Sequence, residues 1–154
     1  MKTRTANRIT RARGFTLIEL MITVIVATIL ITIAVSTYGS QVRKSRRTDA
    51  KTAVLDLAGR EERNYSTTNT YAAVPASLGY TGAAFPIVVG DGYYNLNVAV
   101  VAAAPGVPAS FTITATPIGT QVSDAQCASF SVTDLGVQSA LDSGGADATT
   151  TCWR

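Results

Sequence analysis

The feature that most limits what this chain can fold into is an uninterrupted apolar stretch near its start. From Phe15 to Val35 every residue is apolar, Thr or Glu, and the one charge is Glu19. Those 21 residues are enough for a helix to cross roughly 30 Å of hydrocarbon. A carboxylate inside such a run opposes insertion, by roughly 2.5–3.5 kcal/mol on insertion scales for an Asp, so Glu19 is a candidate functional residue by default. The run also divides the charge. Met1 to Gly14 carries Lys2, Arg4, Arg8, Arg11 and Arg13 and no acid. From Tyr65 onward one cation, Arg154, stands against Asp91, Asp124, Asp134, Asp142 and Asp147. The overall net charge of +3 therefore hides an acidic C-terminal part. Such a surface argues against binding a phosphate backbone, which needs clustered Lys and Arg.

Gly14-Phe15-Thr16-Leu17-Ile18-Glu19, behind a short basic leader, resembles the cleavage and methylation signal of type IV prepilins. The resemblance implies cutting between Gly14 and Phe15, N-methylation of Phe15, and a role in assembly for Glu19. In that family the glutamate pairs with the N-terminal amine of a neighbouring subunit. An ordinary secretory signal has its apolar region before the cleavage site. Here it lies after Gly14 and would stay on the mature chain; the alternative is a plain anchor that is never cut. Five cations precede the run, but Arg43, Lys44, Arg46 and Arg47 follow it closely, so charge asymmetry orients it only weakly. The resemblance implies a cytoplasmic leader and a periplasmic head, anchored once in the bacterial inner membrane, and later an extracellular pilus.

Beyond the run the periodicity predicts a continuing helix. Ala50, Val54, Leu57 and Ala58 recur at helical spacing. Asp49, Lys51, Asp56, Arg60, Glu61, Glu62 and Arg63 lie between them as a wet face. A helix from Phe15 to about Asn64 is expected, roughly 75 Å long at 1.5 Å per residue. Ser36 stands where prepilins usually carry Pro, which leaves a kink there open. Ser66 to Gly92 reads as a long loop with room for a short strand at Phe85 to Val89. Tyr65, Tyr71 and Tyr80 along it are read as packing anchors. Tyr94 to Val100 and Ser110 to Thr116 alternate strictly, as half-buried strands do. Ala128 to Thr133 is a third, with a short fourth beyond the Asp134-Leu135-Gly136 turn. The expected fold class is α+β, a pilin fold: the long N-terminal helix, its second half amphipathic, packed on a small sheet of three or four antiparallel strands. Four segments follow: a leader 1–14, a transmembrane and filament-core helix 15–35, its amphipathic continuation 36–64, and a β-rich head 65–154.

The tail from Ser139 to Thr151 is rich in Ser, Gly, Ala, Asp and Thr and reads as loose by itself. Cys127 and Cys152, the only cysteines, lie outside the membrane on this reading, in an oxidising compartment where a disulfide is favoured. A cysteine pair bracketing the C-terminal segment and ending in Cys-Trp resembles the disulfide-bounded region of type IV pilins. Without any His the commonest general base is missing, and no calcium loop or phosphate-binding glycine motif is present. No catalytic residue, cofactor or metal is expected, and the chain is read as a structural subunit rather than an enzyme. Arg60 to Tyr65 and Asn69-Thr70-Tyr71 look most like PilE-type minor pilins. Expected partners are other pilin subunits, the prepilin peptidase, the inner-membrane assembly platform and, before assembly, membrane lipid; nucleic acid is not expected. A type II secretion pseudopilin and a DNA-uptake receptor pilin are the alternatives.

Overall fold

The computed structural model describes residues 14–154, and for 35–37 only the backbone. The leader lies outside the described residues apart from Gly14. The elements in order are α1 (Leu17–Thr68), a 3-10 turn η1 (Pro75–Leu78), β1 (Ile87–Val89), β2 (Tyr94–Val101), β3 (Ser110–Pro117), a 3-10 turn η2 (Gly119–Ser123), β4 (Ser129–Thr133), β5 (Gln138–Leu141) and α2 (Thr149–Cys152). The chain divides into two compact units, Met1–Gly39 and Ser40–Arg154.

In the second unit the strands form one antiparallel sheet in the order β1-β2-β3-β4-β5. The central pair is the longest, with Tyr94 opposite Pro117 and Val101 opposite Ser110. Alternation delivers one buried face: Tyr94 and Leu96 from β2, Phe111, Ile113 and Ala115 from β3, Phe130 and Val132 from β4, Ala140 from β5. Ala50, Val54 and Leu57 of α1 are fully buried in the same cluster. A one-faced sheet needs such a cover, and the stripe read from the sequence supplies it.

Two expectations change. The sheet has five strands rather than three or four, because both short candidates pair. β1 holds Ile87 opposite Leu96, and β5 sets Ser139 opposite Ser131. The helix ends at Thr68, not near Asn64. Asn69 stops it with φ 56°, the left-handed conformation that closes many helices, while its N–H still bonds to Tyr65 O at 2.8 Å. The tail, loose by composition alone, is held by the Cys127–Cys152 bond and by its own packing. Trp153 donates from Nε1 to Ser139 O at 2.9 Å and packs edge-on against Phe130. The β1–β2 hairpin needs glycine at one point: Gly90 has φ +62°, and a Cβ there would sit 3.2 Å from Asp49 Cβ.

Candidate functional site: the N-terminal helix and the sheet domain

Gly14, Phe15 and Thr16 precede α1. Thr16 caps it: the Glu19 N–H donates to Thr16 Oγ1 at 3.2 Å, and the Leu20 N–H to Thr16 O at 3.2 Å. Thr-x-x-Glu at a helix start is the pattern of a capping box, a role for Thr16 that the sequence reading missed. The Glu19 carboxylate lies in the first turn, where the helix dipole favours a negative charge. Every side chain from Phe15 to Ala34 is exposed. The threonines satisfy their hydroxyls inside the helix: Thr23 donates to Leu20 O, Thr28 to Val24 O and Thr32 to Thr28 O, each at 2.8 Å. An apolar segment with its hydroxyls already bonded suits a medium without water. The Glu19 carboxylate is the exception. It has no hydrogen-bond or ion-pair partner among the described residues.

The amphipathic half of α1 is locked to the head by groups the sequence did not single out. Arg47 grips Asp124 with two bonds of 2.6 Å, Nε to Oδ2 and Nη2 to Oδ1. Beside them Gln121 is fully buried and donates to Tyr94 Oη at 3.1 Å and to Arg43 O at 3.2 Å. Burial pushes the Tyr94 hydroxyl up to about 12. Arg46 lies over the Tyr93 ring, 3.4 Å from its centroid. Further along, Tyr80 donates to Asp56 Oδ2 at 2.6 Å. That bond, with help from Arg60, holds the Asp56 carboxyl below its ordinary range. Tyr65 stacks on Tyr71, which meets Phe111 edge-on. Tyr65, in the last turns of α1, and Tyr71 and Tyr80 beyond it therefore pack, as expected.

Glu61 departs from the expected wet face. It lies four residues beyond Leu57, on the buried stripe, and is fully enclosed. Its Oε2 accepts the Ala72 N–H at 2.8 Å, and its Oε1 has no partner. Burial raises its carboxyl above the ordinary carboxylate value; the Ala72 bond opposes the shift only in part. Position on the helix put Glu61 inside, and its charge hid that.

Cys127 and Cys152 are joined, with Cα atoms 5.9 Å apart, inside the usual range for a disulfide. Among the described residues no group of three His, Cys, Asp or Glu is placed to hold a metal. The structure thus places Gly14, Phe15 and Glu19 at one end of α1, and the disulfide within the second unit.

Residues 9–35 match the prokaryotic N-terminal methylation motif. Residues 36–131 match the family described as type IV minor pilin ComP, DNA uptake sequence receptor. A solved type IV pilin from Shewanella oneidensis is similar at 27% identity, covering 62% of this chain and 89% of that one, with a TM-score of 0.43. No curated protein matches. The two family matches adjoin, and together they define a type IV pilin with an N-terminal methylation motif. The chain belongs to the ComP family of type IV minor pilins.

Proposed function

We propose that the chain is cut between Gly14 and Phe15, methylated on Phe15, held in the inner membrane through residues 15–35 with its head in the periplasm, and then drawn into a type IV pilus as a minor subunit. The cut, made by the prepilin peptidase, leaves the Phe15 amine one helical turn before Glu19. In the filament that carboxylate pairs with the amine of a neighbour and sets the register, while the apolar helices pack together. The observation that carries this reading is the run itself: its side chains from Phe15 to Ala34 are all exposed, the hydroxyls of Thr23, Thr28 and Thr32 are internally bonded, and one carboxylate has no partner among the described residues. A surface so apolar needs lipid or other helices around it. The family match on residues 36–131 favours a pilin over a secretion pseudopilin. Mass spectrometry of membrane-derived protein tests the processing. N-methyl-Phe15 as first residue is expected, and a mature population starting at Met1 contradicts it. Gly14→Val should block the cut, since a branched side chain replaces none.

A second reading is favoured by the family description, which names DNA uptake sequence receptors. We extend that ligand class to this head, although charge alone set nucleic acid aside. With Arg154 its one cation beyond Tyr65, the head neutralises few phosphates, so its affinity rests on base contacts. The salt slope should be no steeper than about −2 in log–log terms. Titrating duplexes of varied sequence against the protein at several salt concentrations tests this. Binding to no duplex, or a steep slope shared by all sequences, removes the reading.

A further inference from the structure

Arg43, Lys44, Arg46 and Arg47 crowd the side of the apolar run that the positive-inside rule leaves poor in cations. The head accounts for two of them. Arg46 stacks on Tyr93 and donates to Thr120 Oγ1 at 3.1 Å, and Arg47 is bound to Asp124. The side chains of Arg43 and Lys44 form no hydrogen bond or ion pair among the described residues. They line an open cavity of about 170 Å³ together with Arg47, Ser123, Asp124 and Gln126. Asp124 is the one acid there, and Arg47 neutralises it, so the cavity presents an excess of two positive charges.

Chain connectivity says where this cavity works. Arg43 lies eight positions beyond Val35, the end of the apolar run. Even fully extended, that stretch reaches no more than roughly 29 Å. A phosphodiester is an anion that both an arginine fork and a lysine ammonium take, and the surface of a bilayer offers phosphodiesters at this reach.

We propose that Arg43 and Lys44 bind the phosphate of an anionic phospholipid on the outer face of the inner membrane while the subunit awaits assembly. The inference rests on the membrane-anchored reading above. Two cations hold such a lipid weakly, by about fivefold each over a zwitterionic one. The contact therefore breaks when the helix leaves the bilayer for the filament.

The test uses the full chain in nanodiscs of equal phosphatidylglycerol and phosphatidylethanolamine, with native mass spectrometry counting the lipids retained per protein. The wild type should keep phosphatidylglycerol several-fold over phosphatidylethanolamine. The double variant Arg43→Gln/Lys44→Gln should lose that preference, and Arg63→Gln, an exposed cation later in the helix, should keep it. A wild type that incorporates without preference, or a double variant that matches it, overturns the proposal and leaves the anchored reading standing. Failure to enter the nanodisc at all removes the anchored reading itself. If the double variant instead loses binding to duplex DNA with its lipid preference unchanged, the patch serves nucleic acid and the proposal is wrong.

Discussion

Two stretches of α1 carry apolar side chains and meet opposite surroundings. Leu20 and Ile25 are 59% and 58% exposed, whereas Leu57, later in the helix, is fully buried. The difference lies in their neighbours. From Ala50 onward apolar residues occupy one stripe and charges the rest, so the helix has a dry side for its own sheet and a wet side for water. From Phe15 to Ala34 the residues are apolar all round, so no single sheet could cover them, and a helix of that kind is a membrane span or a core built from several chains. One stretch folds the molecule; the other leaves its burial to partners.

The sharpest way to break this comparison is to truncate one residue in each stretch. Leu57→Ala should cost about 2–5 kcal/mol of head stability, the usual range for a buried leucine, read as a drop in thermal midpoint by near-UV dichroism in detergent. Ile25→Ala should leave that midpoint unchanged. Equal losses would mean that the first stretch supports the head after all. Next in size is the bond closing the tail. Cys152→Ser should cost roughly 3 kcal/mol in the chain-entropy model for a separation of 25 residues, with earlier proteolysis beyond Asp142. Unchanged stability would show that Trp153 packing alone holds the segment.

A smaller effect sits at Glu61, the charge that shares a stripe with Leu57. Its folded carboxyl titrates above its ordinary value of 4.5. The sign follows: the folded head takes up a proton more readily than the unfolded chain, so this contribution is full below about pH 4.5 and lost as pH rises through the raised value. Glu61→Gln keeps an oxygen for the Ala72 N–H and removes the titration. The variant should be at least as stable as the wild type at pH 7 and less sensitive to pH above 4.5. A loss above about 1 kcal/mol at pH 7 would mean that the charge itself is needed. Asp56 acts in the opposite sense. Its carboxyl is held low by Tyr80, so its contribution is present above its ordinary value of 3.8 and fades as pH falls below that.

What the sequence made legible was whatever periodicity or a fixed motif encodes. The apolar run shows by its length and composition, and the Ala50-Val54-Leu57 stripe and the strands β2 and β3 repeat at the spacing of their element. Thr16 was within reach too, since Thr-x-x-Glu marks a helix start, but the larger prepilin pattern covers the same residues. Gln121 and Asp124 were not legible. Nothing local marks two polar residues as buried partners of Tyr94 and Arg47, which lie far off along the chain. The tail shows the same limit. Its composition is that of a loop, and its order comes from the disulfide, from Trp153 on Phe130, and from Ala140 N–H donating to Thr149 Oγ1 at 3.0 Å. Short β1 and β5 were ambiguous for the same reason: three or four residues carry too little pattern until a longer strand pairs with them.

The central claim is that the first half of α1 is buried by neighbouring subunits and that Glu19 fixes how they meet. Glu19→Ala tests it most directly. Removing the carboxylate eases insertion and leaves Gly14 and Phe15 intact, so the variant should be cut and should lodge in the membrane as well as the wild type. In a filament it would leave a neighbour's Phe15 ammonium buried without a partner, which is strongly unfavourable. The measurement is the amount of the variant in sheared filaments relative to the membrane fraction, beside the wild type. The account predicts a processed membrane pool with little or no variant in the filaments. Incorporation at the wild-type ratio would contradict it.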